Sequence, residues 1–247
     1  MREERFARDA AEDVRVILFD IDGTLVLSER ADVYKEYTAP VLESLFGTAG
    51  RLKELKASGM TDLQIFCESL RDEGYTHEHV RGRVAELRER FMTELEGFVA
   101  RGAQVFKLLP GVRELLETIE AHPRYLSALL TGNLEPAARL KLRLVGIDDF
   151  FTLPGAFGED SHDRRDLPAL ARERIQTRLG VELAPSQFVV IGDTPNDIAC
   201  ARHAAMRSVG VGTGRNHSVE TLRPHGPDLL LPDLSDTEAV LRALDTL

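Results

Sequence analysis

The stretch Val16-Ile17-Leu18-Phe19-Asp20-Ile21-Asp22-Gly23-Thr24 decides the fold of this 247-residue chain. Its four leading apolar residues predict a short strand that is buried on both faces of a sheet. The run stops at one acidic residue, a second follows two positions later, and the glycine after it allows a sharp turn. Comparable apolar runs stop at Thr131 and at Asp193. We therefore predict buried parallel strands that carry polar side chains at their carboxyl ends.

Five apolar runs read as strands, and segments with helical spacing lie between them. The runs are Val16–Phe19, Tyr125–Leu130, Phe188–Gly192, Ser208–Val211 and Asp228–Leu231. Alternation of strands with helices is typical of a parallel sheet covered by helices on both sides. The sequence thus predicts an α/β fold with a Rossmann-like parallel sheet as its core.

Residues 27–105 interrupt this alternation. Apolar residues recur there at helical spacing, glycines punctuate the segment, and no convincing strand is found as far as Lys107. We predict an α/β core formed by residues 1–26 and 106–247, with an all-helical cap inserted at 27–105. Thr76 is the predicted N-cap of the last cap helix.

The composition restricts the range of partners. Forty-one acidic residues against 31 basic ones give a formal net charge of −10, which argues against a protein that binds nucleic-acid phosphates. No apolar run approaches the roughly 20 residues of a membrane span, and the charged first 15 residues have no apolar signal-peptide core. Cys67 and Cys200 are too few for a disulfide framework and are expected to be buried and reduced. We therefore predict a cytoplasmic protein that binds neither nucleic acid nor membranes.

The strand ends carry the chemistry of the predicted site. Ligands of open α/β sheets bind outside the carboxyl ends of the strands, where Asp20, Thr131 and Asp193 stand. Asp22 and Asp197 add two more carboxylates, which repel their neighbours unless a cation lies between them. Oxygen ligands of this kind favour Mg²⁺ over zinc or copper. A carboxylate beside Mg²⁺ can attack phosphorus, and a neighbouring acid can protonate the leaving oxygen.

Three segments at the predicted strand ends resemble the sequence motifs of a known family. Asp20 to Thr24, Leu130 to Asn133 and Gly192 to Asp197 resemble motifs one, two and four of the haloacid dehalogenase superfamily. The resemblance covers nearly the whole chain from Val14 onward. It points to the phosphatase branch with a helical cap inserted after the first motif. It implies Mg²⁺-dependent hydrolysis of a small phosphorylated metabolite, such as phosphoglycolate or a sugar phosphate, through an aspartyl-phosphate.

The resemblance also implies roles for individual residues. Asp20 becomes the nucleophile, and Asp22 becomes the general acid and base. Thr131, together with the backbone N–H groups of Gly132 and Asn133, becomes the binding site for the phosphoryl oxygens.

The same resemblance implies a metal site. Mg²⁺ is expected to bind the carboxylates of Asp20 and Asp193 and the backbone carbonyl of Asp22. Asp197 is expected to bind the waters of the metal or to orient its neighbours.

Motif three departs from the family pattern. The family supplies a cation there, often a lysine close to prolines, and this chain has no such lysine. The candidates are Arg164 and Arg165, just before a predicted helix, with Arg164 ahead because the site needs a cation to offset Asp20 and phosphate.

In the cap, Thr61 and Asp62 are the candidates for contact with substrate. The alternative role of either residue is to cap a helix, and both roles are compatible because a helix N-terminus attracts anions.

Three alternative functions stay open. A dehalogenase of the same superfamily attacks carbon and has no use for Asp22 or the metal. A phosphomutase uses Asp20 and Asp22 but returns the phosphoryl group to a sugar. A catalytically silent binding or regulatory protein is also compatible with the fold.

Overall fold

The computed structural model describes residues 14–102 and 105–247. The strands are β1 (Arg15–Phe19), β2 (Val26–Ser28), β3 (Phe106–Leu108), β4 (Tyr125–Leu129), β5 (Phe188–Gly192), β6 (Arg207–Val211) and β7 (Leu229–Leu231). The helices are α1 (Tyr34–Phe46), α2 (Asp62–Leu70), α3 (His77–Arg81), α4 (Val84–Ala100), α5 (Val112–Ala121), α6 (Glu135–Leu144), α7 (Leu167–Leu179), α8 (Pro195–His203), α9 (Val219–Leu222) and α10 (Thr237–Leu244). Short 3₁₀ turns occupy Arg71–Glu73, Asp148–Phe150, Arg164–Asp166, Pro185–Gln187 and Arg223–His225.

The main sheet contains five strands in the order β4-β1-β5-β6-β7, and all of its pairings are parallel. All five predicted runs form these strands, which confirms the α/β fold. The register pairs Phe19 with Leu129 on one side and with Ile191 on the other, so β1, β4 and β5 end at one level. The chain leaves β1 toward β4 and returns on the opposite side at β5. Such a reversal of strand order opens the crevice in which α/β proteins bind ligands.

Both faces of the sheet are covered by helices because successive side chains of each strand point to opposite faces. Ile17 and Phe19 of β1 pack in one buried cluster with residues of α5, α6 and α10. Val16 and Leu18 pack in a second cluster with residues of α7 and α8. All four side chains are fully buried, each contributing roughly 1.5–3 kcal/mol by its removal from water. The prediction of helices on both sides is therefore confirmed.

The helices α1 to α4 surround a third buried cluster. Tyr37 of α1 packs edge-on against Phe91 of α4 at 5.3 Å between ring centroids, and Phe66 of α2 lies 6.0 Å from Phe91. The inserted segment is helical here, as its periodicity predicts. The cap boundaries at residues 27 and 105 stay a prediction.

Two short strands correct the prediction that the chain from Leu27 to Lys107 has no strand. Val26–Ser28 and Phe106–Leu108 pair antiparallel, with Val26 opposite Leu108 and Leu27 opposite Lys107. Three residues are too few to show the period of two that marks a strand. The pair forms because the two connections into and out of the helical segment run side by side.

Thr76 also differs from its prediction. Its hydroxyl accepts a hydrogen bond from the His79 N–H and caps α3, whereas the long helix α4 begins after Gly82 and Arg83. The periodic pattern of α4 does not extend back to Thr76, so the last cap helix starts without this cap.

The charged stretch before Val14, predicted to lack a signal-peptide core, lies outside the described residues. Cys67 and Cys200 are both buried free thiols, as expected. Within residues 14–102 and 105–247, every helix is too short or too polar to cross a bilayer. The cytoplasmic location stays a prediction.

Candidate active site

Asp20 occupies the centre of the crevice at the carboxyl end of the sheet. Its N–H donates to the Ile191 carbonyl of β5 at 3.0 Å, and the Leu130 N–H donates to the Phe19 carbonyl at 2.8 Å. The ladder hydrogen bonds thus hold the end of β1 between β4 and β5. Because Asp20 directly follows the last residue of β1, its side chain lies at the end of the sheet, and the residue is only 4% exposed.

Three carboxylates meet at this point. Oxygen atoms of Asp20, Asp193 and Asp197 all lie within 4.8 Å of one another, and all three residues are buried. Asp193 Oδ1 is buried and has no hydrogen-bond partner among residues 14–102 and 105–247. Burial, and then repulsion from Asp20 and Asp197, raises the pKa of Asp193 well above its usual range. The cluster therefore offers oxygen ligands, one of them unengaged, to a cation.

Asp20 itself has the electrostatic environment of a reactive group. Burial raises its pKa to about 7, Arg164 opposes the rise, and the charges of Asp197 and Asp22 add to it. The carboxylate is thus held in a site where its negative charge is poorly solvated. Such perturbed carboxylates in a crevice are typical of functional sites.

Arg164 is a buried cation that contacts two of these three carboxylates. Its buried Nη2 lies 2.9 Å from Asp20 Oδ1 and 2.5 Å from Asp197 Oδ1. Arg165 instead pairs with Asp163 at 2.5 Å, and its side chain is 60% exposed. Both arginines belong to one 3₁₀ turn, in which successive side chains project about 120° apart. The structure therefore brings Arg164 to Asp20 and leaves Arg165 at the surface, away from the crevice.

Asp197 uses both of its oxygens within the protein. Oδ1 pairs with Arg164, and Oδ2 accepts hydrogen bonds from the N–H of Thr194 at 3.0 Å and from its hydroxyl at 2.6 Å. Asp197 lies in the first turn of α8, where a carboxylate is also favoured by the helix dipole. Of its two expected roles, this arrangement favours the orientation of neighbouring groups.

The loop after β4 places Thr131 in the crevice, where its side chain is fully buried. Its N–H donates to the Ala156 carbonyl at 3.1 Å, and its hydroxyl accepts from Asn133 Nδ2 at 2.8 Å. A Cβ at Gly132 would lie 2.2 Å from the Met60 carbonyl oxygen. The helical segment therefore packs directly on this loop, and only glycine fits at that position.

Asp22 lies outside the cluster of three carboxylates, and its side chain is 44% exposed. Its oxygens contact Lys141 Nζ at 2.8 and 2.6 Å, and Oδ2 also accepts from Asn133 Nδ2 at 2.7 Å. Lys141 does not figure in the sequence predictions. One signal marks it: it is a charged residue on the helix face that carries Ala137, Ala138 and Leu142.

Thr61 and Asp62 fasten the helical segment to the core loop. The Thr61 hydroxyl accepts from the Gln64 N–H at 3.1 Å, so Thr61 caps α2. The Asp62 N–H donates to the Gly132 carbonyl at 2.6 Å, and Asp62 Oδ2 accepts from the Leu134 N–H at 2.8 Å. The helix-capping alternative therefore holds for Thr61. Contact of either residue with substrate stays a prediction.

Gly23 gives a direct test of how tightly the crevice is built. Its φ is +89°, and an added Cβ would lie 2.4 Å from Asp193 Oδ2, whereas Gly47 has φ +76° and open space around it. We expect Gly47→Ala to cost about 1 kcal/mol, for its left-handed backbone alone. Gly23→Ala should cost about 2–4 kcal/mol and lower kcat by about 100-fold, because displacement of a site carboxylate by an ångström has effects of that size.

Thermal unfolding and phosphatase assays on both variants measure these effects. Equal losses of stability and activity at the two glycines would show that the contact with Asp193 is unimportant.

Comparisons with known proteins show which family the chain resembles. A family model described as haloacid dehalogenase-like hydrolase matches residues 14–205. Phosphoglycolate phosphatase of Pectobacterium atrosepticum is 29% identical over 232 residues, which cover 90% of this chain and 90% of that protein.

Two solved structures share the fold. A hydrolase from Pseudomonas syringae has a TM-score of 0.63 at 24% identity and covers 95% of this chain and 99% of its own. A β-phosphoglucomutase from Clostridium difficile has a TM-score of 0.67 at 17% identity, with coverage of 94% and 98%. At these identities the two structures confirm the fold alone. The chain belongs to the haloacid dehalogenase-like hydrolase family, and its phosphatase relatives support its place among the phosphatases of that family.

Proposed function

We propose that this protein hydrolyses a small phosphomonoester in a Mg²⁺-dependent reaction that passes through a phosphoryl group on Asp20. The observation that carries the proposal is the meeting of Asp20, Asp193 and Asp197 with the buried Arg164 at the ends of β1 and β5. Three acidic groups and one cation, all buried, form the kind of site that binds a metal and a phosphate together.

The residues of the crevice fit Mg²⁺. The donors are carboxylate oxygens, which this ion prefers, and Asp193 Oδ1 has no hydrogen-bond partner in the described part of the chain. We propose that Asp20 and Asp193 hold the ion, with the Asp22 carbonyl as a further ligand, while Asp197 orients Arg164. Bound Mg²⁺ would supply positive charge that neutralises the phosphate and aligns it for attack.

The side chains of the protein would carry out the bond changes. Asp20 attacks phosphorus, its new O–P bond replaces the bond to the alcohol, and Asp22 gives its proton to the departing oxygen. Asp22 then takes a proton from water as that water attacks phosphorus, which releases inorganic phosphate and restores the Asp20 carboxylate. Arg164 would stabilise the negative charge that spreads over the phosphoryl oxygens.

The loop after β4 would bind the phosphoryl group. Two of its N–H groups already donate hydrogen bonds within the protein. The Thr131 N–H donates to the Ala156 carbonyl, and the Asn133 N–H donates to the Thr131 hydroxyl. We therefore assign the Gly132 N–H to a phosphoryl oxygen. Because Met60 and Asp62 contact this loop, we propose that the helical segment covers the crevice and favours small substrates. Phosphoglycolate, the substrate in the name of the Pectobacterium relative, is the first compound to test.

The test is the release of inorganic phosphate from a panel of small phosphomonoesters, with Mg²⁺ and then with excess EDTA. We expect turnover with Mg²⁺, its loss on chelation, and its return when Mg²⁺ is restored. Mass spectrometry of an acid-quenched reaction should locate a phosphoryl group on the peptide that contains Asp20. No turnover on any substrate would support a silent binding protein. Isomerised sugar phosphate without free phosphate would identify a mutase, and chloride release from chloroacetate a dehalogenase.

Metal binding should also appear in the stability of the protein. Ligand at about 100 times its Kd adds about 2.7 kcal/mol to the free energy of unfolding, so saturating Mg²⁺ should raise the Tm. Asp193→Asn should abolish most of this rise, because it removes a carboxylate of the cluster. Asp72→Asn is the control, since Asp72 is 66% exposed on the helical segment. An undiminished rise in Asp193→Asn would refute the proposed metal ligand.

A further inference from the structure

Lys141 is a buried lysine at a place where the proposed reaction assigns it no role. Its side chain is 6% exposed, and its Nζ contacts both oxygens of Asp22 and, at 2.6 Å, Asn133 Oδ1. The Phe106 ring centroid lies 5.2 Å from the same nitrogen. The ammonium group therefore has polar partners on one side and an aromatic ring on another.

Helix geometry explains how Lys141 reaches this place. Lys141 lies on the buried face of α6, and Asn133 lies just before that helix. Helical side chains lean toward the N-terminus, which carries the long lysine side chain back toward the loop after β4. Lys141 thus spans the distance from a rigid core helix to the turn after β1, where Asp22 lies.

Asn133 connects the Asp22–Lys141 ion pair to Thr131 in the loop after β4. Its amide nitrogen donates to Asp22 Oδ2 at 2.7 Å and to the Thr131 hydroxyl at 2.8 Å, while its oxygen accepts from Lys141. Every polar atom of this amide is therefore engaged. The carboxylate of Asp22 is held by two donors, Lys141 Nζ and Asn133 Nδ2, and its side chain is 44% exposed.

Stability alone gives little reason for a lysine here. A buried ammonium group loses its hydration, and well-packed apolar residues often replace buried ion pairs without loss of stability. The remainder of the buried face of α6 is apolar, with Ala137, Ala138 and Leu142. We therefore attribute the presence of Lys141 to its effect on the Asp22 carboxylate rather than to a gain in stability.

We propose that Lys141 is a positioning residue that, with Asn133, holds the Asp22 carboxyl group in the orientation from which it exchanges a proton with the leaving oxygen. The inference rests on the proposed function, because it assumes that Asp22 is the general acid. Lys141 touches Asp22 and is not itself assigned a contact with substrate.

The test compares two aryl phosphates of similar size in the full-length chain with Mg²⁺. p-Nitrophenyl phosphate has a leaving group that departs without help, whereas phenyl phosphate needs protonation of its leaving oxygen. We expect Lys141→Met to lower kcat/KM for phenyl phosphate by about 10–100-fold, the usual effect of losing a group that orients a catalytic residue. The loss for p-nitrophenyl phosphate should stay below about threefold, and Asp22→Asn should show the same selectivity more strongly.

A double variant tests whether the two residues act together. If Lys141 acts through Asp22, Lys141→Met should add almost nothing to Asp22→Asn, within about twofold. Arg143→Met is the matched control, because Arg143 lies on α6 with a side chain that is 55% exposed. Its activity on both substrates should equal that of the unmodified protein.

Several results would overturn the inference. Equal losses on both substrates would mean that Lys141 affects packing or binding, and additive losses would mean that it acts independently of Asp22. If Lys141→Met does not unfold cooperatively, Lys141→Gln is judged by the same two criteria. Absence of activity in the unmodified protein on these and all other phosphomonoesters would refute the proposed function itself. A failure confined to Lys141 would leave that function standing.

Discussion

Asp20→Asn should eliminate phosphatase turnover, with a fall in kcat of at least about 10⁴-fold, comparable to the loss of the nucleophile in other enzymes that form covalent intermediates. An amide nitrogen or oxygen at this position is a poor nucleophile toward phosphorus. The amide is nearly the same size as the carboxylate, so the packing of β1 against β4 and β5 should be retained. The measurement is phosphate release under saturating substrate and Mg²⁺.

The stability of Asp20→Asn distinguishes loss of chemistry from loss of structure. Burial raises the pKa of Asp20 to about 7, so near neutral pH the ionised carboxylate is disfavoured in the folded protein relative to the unfolded chain. Asn removes that unfavourable charge, while Arg164 keeps its ion pair with Asp197. The variant should therefore melt no lower than the unmodified protein. An inactive variant that is also unfolded would not support the nucleophile, whereas full activity in a folded variant would refute it.

Arg164→Met should have the second largest effect, and it should affect both activity and stability. Arg164 is 5% exposed and forms ion pairs with Asp20 and Asp197. Without it, the negative charges of these two buried carboxylates would have no positive charge between them. Removing one partner of such a buried pair typically costs about 3–5 kcal/mol. Loss of a cation that stabilises transferring phosphate lowers kcat by about 10³-fold or more. Chemical denaturation and steady-state kinetics measure the two effects.

Arg165→Met is the control for this prediction because it removes the same side chain one residue further along. Arg165 is 60% exposed and pairs only with the nearby Asp163 among the contacts described, so its replacement should change stability by less than about 0.5 kcal/mol. Activity should remain close to that of the unmodified protein. If Arg165→Met is the inactive variant and Arg164→Met is active, the motif-three cation has been assigned to the wrong residue. Arg164→Lys should fall between them, since a lysine keeps the charge but cannot replace both guanidinium nitrogens, of which Nη2 contacts the two carboxylates and Nη1 donates to the Gly59 carbonyl.

The sequence predicts the parts of the site that depend on strand ends. Asp20, Thr131 and Asp193 each follow an apolar run, and the parallel sheet brings such ends to one edge. The choice between Arg164 and Arg165 depends instead on which side of a 3₁₀ turn faces the crevice. Lys141 escaped prediction because it belongs to no motif, and its contact with Asp22 spans 119 positions of the chain.

The sequence determined the α/β class and the helical character of the segment after β1, because buried strands and helices leave periodic patterns of apolar residues that are local in the chain. The resemblance to the family came from the motifs that contain Asp20, Thr131 and Asp193. Tertiary structure decided what depends on distance across the fold. It joined the two short strands β2 and β3 and put Arg164 rather than Arg165 against Asp20. It also carried Lys141 to Asp22. Contacts between distant segments follow from the packing of whole elements, which no local pattern encodes.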